Sequence, residues 1–163
     1  MKMTLLHRET ANELHAVLSP ALRAKIAKYE RIVTVPKGAK LLQHDVQPDR
    51  LAILNSGTVE IRLAGMRKSV AIDDVPAGKV FGIRAVVSGE LPQVDVTCLE
   101  TCQVTFLPSD VFLTLLKDNP EVYFAVAKVL AADLQIANSI LRNCSRSSSS
   151  HFGPVKPRLA PHR

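Results

Sequence analysis

The chain is organised around the sequence Ala77-Gly-Lys-Val-Phe-Gly-Ile-Arg-Ala-Val-Val87, which Gly89-Glu-Leu-Pro-Gln-Val-Asp-Val-Thr97 follows closely. The pattern predicts a short apolar strand, one helical turn that begins at Gly82, and a proline turn into an alternating strand. Glycine permits a tight backbone turn, and the N–H groups and dipole at the start of a helix attract anions. The stretch therefore has the outline of a phosphate-binding loop.

Short runs of β-branched and aliphatic residues lie on both sides of this stretch, separated by turns that contain Pro, Gly, Asn and Asp. Only a single helical turn falls between them, whereas a parallel sheet needs longer crossovers. The runs therefore predict a sandwich or roll of short strands. They lie at 32–35, 51–54, 58–63, 70–75, 80–81, 94–98 and 104–107.

Helical periodicity precedes the predicted strands. Apolar residues recur at helical spacing through 9–28, but Pro20 interrupts the pattern. Since Ser-Pro is a good helix start, we predict two short helices, with Ser19 as the N-cap of the second.

Helical periodicity returns after the last predicted strand. One helix is predicted over 109–117 with Ser109 as its cap, and a second from Pro120 to Asn143. The fold class is therefore α+β and mainly β, a jelly-roll-like β-roll flanked by helices. We predict one domain over 1–143, with helices at 9–28, the roll at 31–108 and helices at 109–143.

The last predicted helix carries two apolar stripes. One, which includes Val122, Val126 and Val129, suits packing against the roll of the same chain. The other repeats at intervals of four and three residues, as in a coiled-coil seam. With no other long helix available to cover it, we predict a homodimer, and a wholly internal helix is the alternative. The predicted interface residues are Tyr123, Ala127, Leu130, Leu134, Ala137 and Leu141.

The net charge of +6 lies mainly in the tail, because residues 1–143 hold 17 Lys and Arg against 15 acids. The segment 144–163 is rich in Ser and Pro, contains no acids, and is predicted to be a flexible basic tail. Such a tail contacts nucleic acid or an acidic partner weakly at most, and a solvated tail is the simpler interpretation.

Composition also limits location and chemistry. No apolar stretch approaches the ~20 residues of a membrane span, and the first nine residues are too short for a signal peptide, so we expect a cytoplasmic protein. The cysteines Cys98, Cys102 and Cys144 predict free thiols. Scattered histidines and the single adjacent pair Asp73-Asp74 favour neither a metal site nor a catalytic one, so we expect no metal, no cofactor and no enzyme.

The order of these elements resembles the cyclic-nucleotide-binding domain of the CRP/FNR family over roughly 11–143. Each motif is weak alone, but their order is fairly specific for the fold. The motifs that carry the resemblance are Val35-Pro-Lys-Gly38, Asp45 with Pro48-Asp49, Ile53-Leu-Asn-Ser-Gly-Thr-Val59, Pro76-Ala-Gly78 with Val80-Phe-Gly82, Pro92, Leu107-Pro-Ser-Asp-Val-Phe and Asn119-Pro120.

The resemblance implies a phosphate cassette, but the chain departs from the family pattern within it. In the family's binders a glutamate for the ribose follows the Phe-Gly pair, and here Ile83 occupies that position. An arginine for the phosphate follows the proline, and here it is Gln93, which Val94 and Asp95 follow. A common glycine is replaced by His44. The residues that the resemblance assigns to the degenerate cassette are Phe81, Gly82, Ile83, Arg84, Ala85, Gln93 and Val94.

Loss of the charge-assisted pair with the phosphate and of the hydrogen bond to the sugar should each reduce the binding free energy for a cyclic nucleotide by about 1.5–3 kcal/mol. Together they lower the affinity by roughly two to four decades. Arg84, in the first turn of the short helix, either compensates for these lost contacts or points to solvent. We therefore expect a non-catalytic regulatory or sensor module that does not bind cyclic AMP or cyclic GMP in the usual way, although a different ligand could use the hollow.

Two alternatives remain open from the sequence. One is a dimeric scaffold protein that acts through its basic tail or an unknown partner; the lesser one is a metal-dependent, cupin-like enzyme. The family's transcription factors carry a winged helix after the long helix, and 144–163 has no helical periodicity. We therefore expect no sequence-specific DNA binding by this chain itself.

Overall fold

The computed structural model describes residues 13–63 and 75–148. Within these residues helices precede and follow a set of strands, as predicted. The helices are α1 (Glu13–Val17), α2 (Pro20–Ala27), α3 (Ile83–Ser88), α4 (Ser109–Asp118) and α5 (Glu121–Ser148). The strands are β1 (Arg31–Val35), β2 (Lys40–Leu42), β3 (Arg50–Ser56), β4 (Val59–Leu63), β5 (Val80–Phe81), β6 (Val94–Cys98) and β7 (Cys102–Pro108).

The chain divides into two compact units, Met1–Leu130 and Ala131–Arg163. The first unit contains all the described strands, α1 to α4 and the beginning of α5. The second contains the rest of α5. Everything described below belongs to the first unit unless stated otherwise.

The strands form two antiparallel sheets. Their orders are β1-β7-β3-β5 and β2-β6-β4. This antiparallel β-roll with flanking helices confirms the predicted fold class. The predicted strand at 70–75 falls almost entirely outside the described residues.

Residues alternate along a strand, so β3 presents side chains on two faces. Both of these faces are buried. Leu51 and Ile53 face the helices, whereas Ala52 and Leu54 face the interior of the roll. Two cores result. The helix-side core includes Leu22, Ile26, Ile83, Val86, Phe112, Leu116, Val122 and Val126. The roll core consists of Val35, Leu41, Leu42, Ala52, Leu54, Val59, Phe81, Val96, Cys98, Cys102 and Val104.

The start of α2 follows the prediction. Ser19 is the N-cap, and its hydroxyl accepts a hydrogen bond from the backbone N–H of Leu22 at 3.4 Å. Pro20 occupies the first helical position, where its missing N–H costs nothing.

The predicted cap of α4 is wrong. Pro108 is the N-cap, and Ser109 is the first helical residue. The Ser109 hydroxyl donates instead to the carbonyl of Pro48 at 3.0 Å, and its N–H donates to the carbonyl of Asp49 at 2.9 Å. Because β7 leads directly into α4, this serine ties the helix to the loop before β3.

Helix α5 continues past the predicted end at Asn143 and is described as far as Ser148. The sequence from Glu121 to Ser148 contains neither Gly nor Pro, and Ser and Arg oppose a helix only weakly. The serine repetition that suggested a tail from 144 therefore overlaps the last turn of the helix. Residues 149–163 lie outside the described part of the chain.

Candidate functional site

The predicted turn into the short helix is present. Gly82 is the N-cap of α3 with φ 94°, in the left-handed region, and its carbonyl accepts from the N–H of Val86 at 3.0 Å. A Cβ at this position would make only ordinary contacts, 3.6 Å from the nearest atom, the Arg50 carbonyl oxygen. The backbone conformation, rather than a lack of space, is therefore what favours glycine here.

Ile83, at the family's glutamate position, is a core residue. It is 2% exposed and belongs to the helix-side core together with Val86 of the same helix. The neighbouring Phe81 belongs to the roll core instead. The side chain at position 83 therefore lies among apolar groups on the side of the helices.

Arg84 is exposed and already has anionic and carbonyl partners. Its Nη1 donates to Glu90 Oε2 at 3.0 Å, and its Nη2 donates to the carbonyl of Leu91 at 3.5 Å. The guanidinium therefore pairs with the loop that follows α3, and an incoming phosphate would compete with a carboxylate for it.

The remaining cassette residues do not converge on one polar centre. Ala85 is buried, and its carbonyl accepts from Gln47 Nε2 at 3.2 Å and from the N–H of Gly89 at 2.9 Å. Gln93 is exposed, whereas Val94 packs against the roll core.

A charged corner lies next to the cassette, at the start of β6. The backbone N–H of His44 donates to Asp95 Oδ1 at 3.0 Å, and the Lys40 ammonium lies 3.1 Å from the same oxygen. The ring Nδ1 of His44 lies 3.1 Å from Asp95 Oδ2, and it must donate because an ionised carboxylate only accepts. Burial alone would raise the pKa of Asp95, but the hydrogen bonds from His44 and Lys40 outweigh it and lower that pKa.

In the sequence His44 and Asp95 are two separate departures from the family pattern, and nothing there predicts their contact. They are 51 residues apart in the chain, so no local spacing signals the pair. Asp45 completes the turn with φ 56°, and its N–H donates to the carbonyl of Pro92 at 3.0 Å. The proline turn before β6 is thus fixed to the loop after β2.

The roll core contains two free thiols. Cys98 and Cys102 are both buried, as predicted for structural cysteines. Burial, with a hydrogen bond to Cys102, raises the pKa of Cys98 to about 12, so this thiol stays neutral at physiological pH. Among the described residues, no three His, Cys, Asp or Glu side chains are grouped in a way that could hold a metal ion.

Two surface hollows lie away from the cassette. One, of about 350 Å³, lies between α2 and α4 and is lined by residues that include Lys28, Tyr29 and Asn119. The other, of about 380 Å³, is lined by Arg31, Val33, Asp49, Arg50, Phe106 and Pro108. No cassette residue lines either hollow.

The beginning of α5 has one buried and one exposed apolar face. Val122, Val126 and Val129 lie in the helix-side core, as predicted for the stripe that packs on the chain's own roll. Of the predicted interface, Tyr123 and Ala127 are exposed and Leu130 is half-buried. In the second unit Leu134 is exposed, and the side chains of Ala137 and Leu141 lie outside the description.

The antiparallel roll, the glycine-started α3 and the helices after β7 define the class of protein with the cyclic-nucleotide-binding fold. The chain belongs to the cyclic nucleotide-binding domain family, whose pattern matches residues 32–119. This membership leaves the cupin-like alternative without support.

Solved structures agree on the fold. The catabolite activator protein of Thermus thermophilus matches with a TM-score of 0.66 at 20% identity, over 82% of this chain and 63% of that one. The chain thus spans less than two thirds of that protein's length.

Two solved structures, each of a single domain of a transcriptional regulator, are matched over most of their own length. The sensor domain of the transcriptional regulator DNR from Pseudomonas aeruginosa has a TM-score of 0.59 at 19% identity, over 75% of this chain and 87% of that one. The N-terminal domain of a transcriptional regulator from Streptomyces coelicolor has a TM-score of 0.58 at 21% identity, over 80% and 92%. No curated protein sequence matches the chain significantly.

No helix among the described residues is long and apolar enough to cross a membrane.

Proposed function

We propose that the chain is a non-catalytic regulatory or sensor module whose cassette does not take cyclic AMP or cyclic GMP in the usual way. The observation that carries this proposal is the burial of Ile83 in the helix-side core. An apolar side chain cannot accept the hydrogen bond of a ribose hydroxyl, and its burial leaves that hydroxyl without the family's partner.

The charges around the cassette support the same proposal. Gln93 supplies no positive charge, and the guanidinium of Arg84 is paired with Glu90. Asp95, two residues after Gln93, is ionised at neutral pH, and its pKa lies below the ordinary value of 3.8. A cyclic phosphate would therefore lack the arginine that normally neutralises its charge, and the nearby Asp95 carboxylate already engages Lys40 and His44.

Calorimetric titration of the full chain with cyclic AMP and with cyclic GMP tests the proposal. We expect no saturable binding at micromolar concentration, because two lost contacts weaken affinity by roughly two to four decades. Micromolar binding of either nucleotide would overturn the proposal that the cassette is degenerate. The Gln93→Arg variant, at an exposed position, restores only the charge and should regain about one to two of those decades.

We also propose that the exposed face of α5 pairs with the same helix of a second copy. Of the predicted interface residues, Tyr123 is 52% exposed and Leu134 is 62% exposed, and both are large apolar side chains on a helix in water. The four-three spacing of the predicted interface suits a coiled-coil seam. The cytoplasmic location and the lack of sequence-specific DNA binding remain predictions from the sequence.

A further inference from the structure

Strand β1 is an edge of the larger sheet. It pairs with β7 on one side, and within residues 13–63 and 75–148 no strand pairs with its other side. Half of the backbone N–H and C=O groups of an edge strand point away from the sheet. The five β1–β7 pairs, from Arg31 with Phe106 to Val35 with Cys102, run without a register shift. We call Arg31–Val35 the β1 edge.

The β1 edge carries apolar side chains on both of its faces. Ile32 is 74% exposed and Val33 is 41% exposed. Val33 shares a face with Val104 of the roll core, since directly paired residues point to the same side. Natural edge strands are normally protected by bulges, prolines or central charges, and the middle of β1 has none of these.

The hollow of about 380 Å³ adjoins this edge on the face of Val33. Phe106 contributes an aromatic surface, and the Arg50 guanidinium lies 5.1 Å from its ring centre. Arg31 contributes a second guanidinium, whose partners within the described part of the chain are the carbonyls of Lys28 and Glu30. The hollow therefore combines apolar contacts with two guanidinium groups, of which that of Arg50 is paired with Asp49 and that of Arg31 is bound to backbone carbonyls.

Positive charge predominates around the β1 edge. Lys28, Arg31 and Lys37 are exposed. The nearby acids are already engaged, because Glu30 accepts from His15 at 2.8 Å and Asp49 accepts from Arg50 at 2.8 and 3.0 Å. A complementary partner would bring its own carboxylates.

From this edge, these exposed side chains and this charge, we propose that β1 binds an extended acidic segment of a partner protein by strand addition. Main-chain hydrogen bonds along Arg31–Val35 supply affinity, and alternate apolar side chains of the segment contact Val33 and the hollow. Carboxylates at the ends of the segment meet Arg31 and its neighbours. This surface is separate from both the cassette and the exposed face of α5.

The test uses a synthetic, fluorescently labelled peptide, Glu-Glu-Val-Thr-Val-Thr-Val-Glu-Glu, with blocked ends. One control peptide replaces each Glu by Lys, and a second replaces the central Val by Pro, which cannot continue a strand. Fluorescence polarisation of the full chain gives the affinities. We expect the acidic peptide to bind at least about tenfold more tightly than either control, a difference of about 1.4 kcal/mol.

Protein variants locate the contact. Val33→Asn removes apolar surface from the β1 edge, and its matched control is Leu63→Asn on β4, where the side chain is 39% exposed. Affinity should fall about tenfold in the first variant and stay unchanged in the second. Backbone amide shifts on addition of peptide should concentrate in Arg31–Val35.

Three results would overturn the proposal. They are equal binding or no binding of the three peptides, amide shifts confined to other elements, and self-association of the wild type that Val33→Asn abolishes. The last result would assign the β1 edge to a second copy of this chain. Because the control peptides act on the wild-type protein, the test survives even if Val33→Asn fails to fold.

Discussion

His44 and Asp95 form a two-point contact, in which the backbone N–H and the ring Nδ1 of the histidine donate to the two carboxylate oxygens at 3.0 and 3.1 Å. Both residues depart from the family pattern, and the structure shows that they contact each other. The Asp95 carboxylate also forms an ion pair with Lys40, whose ammonium nitrogen lies 3.1 Å from Oδ1. This corner joins the loop after β2 to the start of β6.

Asp95→Asn should lower the free energy of unfolding by about 1–3 kcal/mol at pH 7, because charge-assisted hydrogen bonds are lost. The folded pKa of Asp95 lies below its ordinary value of 3.8, so the stabilisation is present above that pH and is lost as pH falls through the folded value. Urea unfolding at pH 7 and again near pH 3 measures both effects. The matched control is Asp45→Asn, an exposed residue with φ 56° that asparagine tolerates, and it should change stability by less than about 0.5 kcal/mol. Equal losses in the two variants would contradict the role of Asp95.

Ile83→Ala should destabilise the protein by about 2–5 kcal/mol, because it leaves a cavity in the helix-side core. Val87→Ala, in the same helix but exposed, is the control and should cost less than about 1 kcal/mol. Denaturant unfolding of both variants gives the comparison. A small loss at position 83 would mean that the side chain is not packed in the helix-side core, and the observation that carries the proposed loss of nucleotide binding would then fail.

Leu134→Arg should convert the proposed dimer into a monomer, because it places a charge in an apolar seam. Sedimentation velocity of the wild type and the variant measures the change. Asn138→Arg introduces the same side chain at an exposed position outside the predicted seam and should remain dimeric. If the wild type already sediments as a monomer, the seam is not an interface.

Gly57→Ala should be much more costly than Gly38→Ala. Both glycines have positive φ, 102° and 85°, which costs an alanine about 1–2 kcal/mol. At Gly57 a Cβ would also lie 2.6 Å from Cys102 Sγ and 2.9 Å from its Cα, whereas at Gly38 nothing lies within 4 Å. Thermal unfolding should therefore show a loss of about 3 kcal/mol or more at Gly57. Cys102→Ala should not rescue it, because the backbone contact remains.

Local signals were sufficient to predict much of the fold. Ser19-Pro20 marked the start of α2, Gly82 marked the turn into α3, and alternation marked β6, because each of these patterns acts within a few residues.

The remaining features depend on contacts between distant parts of the chain. The contact of His44 with Asp95, and that of Ser109 with Pro48, appear only once the sheets bring those loops together. The three-residue β2 is too short to show a period, and its bounds were not predicted. For Arg84 the sequence left two roles open, and the structure places it against Glu90 at the surface.

Strand β3 is a wall shared by the two cores, with Leu51 and Ile53 on one side and Ala52 and Leu54 on the other. Protein interiors are closely packed and transmit displacement. Any change in volume inside the roll is therefore passed through a single layer of backbone to the helices, including the start of α5. The packing of the two cores against β3 thus gives a mechanical route from the roll to the helices, and this route does not depend on polar contacts to a nucleotide.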